Sequence, residues 1–419
     1  MIPAADSALR PARRRLGSGA VIIARRNPLT PAVTFMLAFD AGSAFDPPSH
    51  PGLAAFTARM IDRGTADLSA DDLAEEIEGR GASVEVTCNR QSLIVACTCL
   101  VDDFETLLTL VARMAHAPAF SLDQIELRRH ETLTRLAQDR ENTGTLATAR
   151  FFERLYGERH PYAHAPRGTS DAIETLTRAD LFAFHQARVR PALLTAAVVG
   201  DLDERAACDA LEAALGGWPD ADAPDRILPP VSPPALRDLS VIRVPGKAQA
   251  DIAYGFLGPG RLDSGYYAFW VMNTVLGQFG MGGRLGENIR ERQGMAYYAY
   301  SSYDAHRIPG PLLVRAGVDP GNVERTIAAI DLEVTRIATH GITPEERADA
   351  VRYLAGSIPR LLETNAGIAQ FLISLEQFGL GDDFDQRLPA LLSSVTVDEA
   401  SAAASALDPA RAVVAIAGP

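Results

Sequence analysis

Apolar positions along the chain follow two periods. Runs at 33–39, 83–86, 93–100 and 195–199, and again at 253–257, 296–303 and 312–318, read as strands. Between them, Phe104, Leu107, Leu108, Val111 and Met114 keep helical spacing, as do Val323, Ile327, Ile330 and Val334. Ser121 and Thr343, each followed within two residues by an acid, mark the starts of long charged helices. Strands and helices mixed in this way predict an α+β fold, with sheets that carry helices packed on one face.

The pattern also repeats. Pro191 and Gly200 recur as Pro409 and Gly418, both at an offset of 218 residues, around the apolar runs 196–199 and 413–417. Leu176-Thr177 recurs as Val395-Thr396 at 219, and Val101-Asp102 as Val318-Asp319 at 217. Several matches in one order at nearly one offset indicate a duplication, two halves of one fold with about 200 residues each. Prolines 219, 224, 229, 230, 233 and 234 cluster between the halves. Proline lacks an N–H and restricts the residue before it, so this stretch reads as a connection. The predicted domains are 1–218 and 239–419, joined by a linker at 219–238.

Composition narrows the function. The formal net charge of -13 disfavours nucleic acid and anionic membrane surfaces as partners, since both call for clustered Lys and Arg. Four cysteines in 419 residues make no disulfide framework, and Cys97 and Cys99 would share one strand face as small buried side chains. The start, 1–14, lacks the apolar core of a secretory signal, and no run reaches the ~18 apolar residues of a membrane helix. A soluble, cytoplasmic chain is the expectation, with the periplasm as the alternative.

Three stretches carry a family resemblance. The first is Ala41-Gly42-Ser43, then Gly52 through Met60, then Gly64-Thr65. The second is His160-Pro161-Tyr162, followed by Gly168 and the helix start at Leu176-Thr177. The third is Gly280-Met281-Gly282-Gly283-Arg284-Leu285, then Ile289 through Tyr297. Together they resemble the M16 (pitrilysin/insulinase, mitochondrial-processing-peptidase-like) family of zinc peptidases. The resemblance implies two homologous domains, each a mainly antiparallel sheet with helices.

It breaks at the metal. Active members carry H-x-x-E-H where this chain has Ala55, Ala58 and Arg59. Alanine neither ligates zinc nor takes a proton, and arginine is always cationic. The third ligand of the family, a Glu, would fall near Thr134, Arg135 and Leu136, and the nearest carboxylate is Glu131. No metal site is therefore expected in this chain. His160 and His164 are four apart, but Pro161 interrupts a helix there, and a loop histidine is the plainer reading.

The resemblance further implies a partner. In paired members a metal-free chain joins a zinc-bearing homologue and supplies an Arg and a Tyr from its second domain. Arg290 and Tyr297 occupy those positions, and both could donate to a substrate carbonyl or to the oxyanion developing on it. Alternatively, Arg290 is a solvated helix residue beside Glu287, and Tyr297 is one of several strand aromatics. The loop with Gly280, Gly282 and Gly283 lacks a P-loop ending and is read as a flexible substrate loop. The expected function is that of a metal-free subunit of a hetero-oligomeric peptidase, with Zn2+ in the partner and a peptide or unfolded polypeptide as substrate. The alternative is an inactive scaffold. A separate hydrolase is disfavoured, since neither a G-x-S-x-G elbow nor a cysteine in a catalytic setting is found.

Overall fold

The structure, a computed structural model, describes residues 9–218, 224 and 228–419. It divides into two compact units: 1–136, 165–227 and 359–385 form the first, and 137–164, 228–358 and 386–419 the second.

The first unit holds a six-stranded sheet of β1 (Ala12–Arg15), β2 (Val21–Arg26), β3 (Ala32–Phe39), β4 (Ser83–Cys88), β5 (Leu93–Leu100) and β6 (Leu194–Gly200), in the order β1-β2-β6-β3-β5-β4. The second holds β7 (Asp238–Arg243), β8 (Ala250–Gly258), β9 (Ala296–Tyr303), β10 (Gly310–Val318) and β11 (Val413–Gly418), in the order β7-β11-β8-β10-β9. Without β1 the two sheets are one topology. Each has a single parallel pair, β2–β6 and β7–β11, and is otherwise antiparallel.

The repeated residues sit at equivalent places. Pro191 and Pro409 each open a 3-10 turn before the parallel strand. Thr177 and Thr396 each cap a helix with a capping box closed by Asp180 and Glu399. That arrangement satisfies two otherwise unpaired backbone donors.

The central strands are buried along their whole length, so both faces of each sheet are covered. In the first unit Val33, Phe35, Leu37 and Phe39 face the main core with Leu194, Ala196 and Val198. Helix Asn365–Phe378 packs on β6 and β3 and covers the remaining positions such as Met36 and Val199. Its Asn365 donates to the Ala32 carbonyl at 2.8 Å and accepts from Asn27 at 2.7 Å. In the second unit helix Thr143–Tyr156 packs in the same way on β8 and β11. Each unit thus takes one covering helix from the other half of the sequence. The compact units therefore differ from 1–218 and 239–419 at these two segments. Burial alone decides this: an apolar second sheet face needs a cover, and the strand pattern does not say which helix supplies it.

Of the linker 219–238, residues 219–223 and 225–227 lie outside the described residues, and Asp238 already opens β7. Cys97 and Cys99 are buried and free, as their spacing on β5 predicts. No helix among the described residues is long and apolar enough to cross a membrane.

Candidate functional site

The first candidate lies in the first unit, where helix Leu53–Ile61 carries the three altered positions. Leu53, Phe56 and Met60 are buried in the core, as their spacing predicts. The helix starts at Gly52, which has φ of 100° and no side chain to cap with. Asp46 does the capping instead, accepting from the N–H groups of Gly52 and Ala54, both at 2.7 Å. Burial pushes the Asp46 carboxyl up to about 7, against the pull of those two bonds.

Ala58 is fully buried and Ala55 half-buried. Arg59 reaches across to helix Leu122–Asp139 and donates from Nη2 to Glu131 Oε2 at 2.8 Å. The same oxygen accepts from Arg128 Nη1 at 2.7 Å. The cation of Arg59 thus bridges the helix of the altered motif to the carboxylate nearest the absent third ligand. Burial depresses the Arg59 pKa, helped by repulsion from Arg135, while Glu131 opposes both. This donor set does not fit zinc: of its carboxylates, Glu131 is shared by two guanidiniums and Asp62 is held by Arg63. No group of three or more His, Cys, Asp or Glu side chains suited to a metal ion occurs among the described residues.

His160 does not supply a metal site either. Its Nδ1 accepts from the Tyr162 N–H at 3.0 Å and its Nε2 lies 3.2 Å from the Pro229 carbonyl oxygen. Its ring stacks on Tyr156, and burial lowers its pKa. Both nitrogens serve the fold.

The second candidate lies in the second unit. Residues 274–292 follow β8 and one helical stretch as two π-helices, Thr274–Gln278 and Gly286–Arg292, with the glycine loop between them. π-helical segments often mark functional places. Gly280 has φ of 67°, and a Cβ on Gly283 would come within 2.8 Å of the Gly277 Cα, so glycine here lets two backbone segments touch. The loop leaves Phe279 and Met281 exposed.

Several bonds hold this segment. Arg284 makes a two-pronged contact with Glu346 at 2.7 and 2.8 Å and donates to the Gly341 carbonyl. Burial would raise the Glu346 pKa, but bonds from Arg284 and Thr343 hold it below the usual carboxylate range. Glu333, almost fully buried, accepts from Asn288 at 2.6 Å and from Arg336 at 2.9 Å. Asn288 in turn accepts from Gln293 at 2.8 Å, which braces the turn after Arg290.

Within that frame Arg290 and Tyr297 are left out. Arg290 is exposed, and its nearest acid is Glu291 at 3.8 Å. Glu287 pairs with Arg292 rather than with Arg290, because π-helical winding brings residues five apart together. On β9, Tyr298 donates to the buried Asp251 and Tyr303 to the Pro259 carbonyl, whereas Tyr297 is 68% exposed. The register with β10 shifts here, Ala296 facing Val318 and Tyr298 facing Gly317, so Tyr297 is the extra residue of a bulge. The bonds that join Glu333 to Asn288, and Asp251 to Thr143 and Tyr298, were not legible beforehand, since these partners lie 45 to 108 residues away.

Comparison with known proteins agrees with the architecture. Residues 21–158 match the family described as insulinase (peptidase family M16), and residues 175–354 match its companion, the peptidase M16 inactive domain. An uncharacterized zinc protease of Streptomyces coelicolor is 25% identical over 412 residues, covering 97% of this chain and 89% of the relative. A non-peptidase homolog from Helicobacter pylori is 25% identical over 385 residues, covering 90% and 87%. Among solved structures, a peptidase M16 inactive domain from Pseudomonas fluorescens superposes with a TM-score of 0.92 at 27% identity, covering 98% of each chain. The chain belongs to peptidase family M16.

Proposed function

We propose that this chain is the metal-free member of a two-chain M16 peptidase, and that Arg290 and Tyr297 serve the reaction carried out with a zinc-bearing homologue. The reading rests on one observation. In a segment where Arg284, Asn288, Gln293, Tyr298 and Tyr303 are all tied down, Tyr297 stays exposed and Arg290 is exposed with only a long contact to Glu291 at 3.8 Å. A guanidinium and a phenol held on a braced turn and a strand are suited to donate to a peptide carbonyl, and more strongly to the oxyanion as charge develops. The zinc, and the water it activates, belong to the partner. The substrate is a peptide or unfolded segment.

Co-purification of the tagged chain tests this. A stoichiometric partner that carries H-x-x-E-H, with peptidase activity only in the mixture, is the expected result. Recovery of this chain without any such homologue would instead favour a scaffold, a role consistent with the relative named as a non-peptidase homolog.

A further inference from the structure

The altered metal site holds more positive charge than it neutralises. Arg59 and Arg63 stand four apart at the end of helix Leu53–Ile61, and Arg128 and Arg135 lie on one face of helix Leu122–Asp139, at Glu131's i−3 and i+4 positions. Against these four guanidiniums stand two carboxylates. Glu131 Oε2 is shared by Arg59 at 2.8 Å and Arg128 at 2.7 Å, and Asp62 Oδ2 holds Arg63 at 3.0 Å. Arg135 is exposed and makes no ion pair among the described residues. The four cations are close enough that Arg135, Arg128 and Arg63 each act on Arg59, and burial already draws Asp62 toward its neutral form.

The hydrogen-bond inventory points the same way. The Nε–H groups of Arg59, Arg63 and Arg128 are all buried without an acceptor. Asp62 Oδ1 is a buried acceptor without a partner, as are Thr57 Oγ1 and Gln124 Oε1 on the same two helices, and the other oxygen of Asp62 is fixed on Arg63. Buried donors that lack partners are costly, and an incoming anion would supply acceptors to several at once. This patch is positive in a chain whose net charge is -13.

We propose that the arginines 59, 63, 128 and 135 form an anion site that takes a peptide carboxylate, either a chain terminus or an Asp or Glu side chain, where active relatives hold zinc. That the carboxylate belongs to a peptide rests on the proposed function. A planar carboxylate suits the two-pronged geometry of guanidinium better than a spherical ion does. The site would thus fix acidic or terminal parts of a substrate.

Calorimetric titration of the full chain alone tests this with three acetylated peptides of one neutral sequence. The first has a free C-terminus, the second an amidated end and a central Asp, and the third an amidated end and a central Asn. The expected result is that one or both acid-bearing peptides bind about tenfold more tightly than the third. Which of them does so identifies the source of the carboxylate. Arg135→Gln and Arg63→Gln should erase the preference, and the exposed position of Arg135 keeps that variant folded. Arg352→Gln, at an exposed arginine of the second unit, should leave it intact. Equal binding of all three peptides, no measurable binding, or a preference that survives both glutamine variants would overturn the site. Because neither the partner nor turnover is involved, such a failure is separate from any failure of the two-chain reading.

Discussion

The altered motif of the first unit and the Arg290–Tyr297 segment of the second treat their polar groups in opposite ways. At the motif, arginines occupy the space between two helices and are held by Glu131. In the segment, a chain of bonds from buried Glu333 through Asn288 to exposed Gln293 braces the turn, and Arg290 and Tyr297 are exposed. In the first region a shared carboxylate joins two helices, whereas the second spends its bonds on bracing a turn and a strand.

Substitutions can break or sharpen this contrast. The largest effect is expected for Arg290→Ala. The reconstituted pair should lose about 10²–10³ in kcat, with pairing and melting temperature unchanged, because an exposed side chain carries no packing. Gel filtration and steady-state kinetics check both halves of that statement.

Next comes the attempt to restore the motif. Ala58→Glu places a carboxylate in a fully buried position, and we expect a loss of about 3 kcal/mol in urea unfolding. The triple change Ala55→His, Ala58→Glu, Arg59→His should not bind zinc stoichiometrically in elemental analysis. Arg128 and Arg135 remain beside Glu131, the nearest carboxylate, and compete with a cation for it.

A smaller effect is expected for Glu131→Gln. It leaves Arg59 and Arg128 without a counter-charge, but the pair is partly exposed, so solvent screening limits the loss to about 1 kcal/mol. The equivalent change at Glu291, 3.8 Å from Arg290, should leave stability within error.

A separate expectation concerns pH. The Asp46 carboxyl is raised in the folded chain from an ordinary value near 4 to about 7. The folded state then holds the proton more tightly than the unfolded one. Its contribution to stability is complete below pH 4 and is lost as pH rises through 7. Thermal melts across that window should show a downward slope that Asp46→Asn flattens.

Much of this was legible in the sequence. Gly200 and Gly418 both close the parallel strand, and Thr177 and Thr396 both cap a helix, so the offset pattern reported a real duplication. Helical spacing of Leu53, Phe56 and Met60 located the core side of the altered motif. Strand β7 was hidden because its alternating pattern follows directly on the proline cluster. The cover helices were hidden because an amphipathic stretch names its face but not the sheet it meets. The π-helical winding of Gly286–Arg292, and with it the Glu287–Arg292 pairing, has no signal in a pattern read at 3.6 residues per turn. The arginine cluster was visible only as a failed zinc motif. Its charge balance needed the distances across two helices.

The central claim, that this chain contributes donors to a partner's reaction, is tested most directly by one oxygen atom. Tyr297→Phe removes the phenolic hydroxyl of this exposed residue and leaves the ring on β9. Turnover of the reconstituted pair should fall by about 10²–10³, mainly in kcat, with the partner's zinc content and the pairing unchanged. A variant that pairs normally and turns over at the full rate would contradict the account and leave the chain as a scaffold.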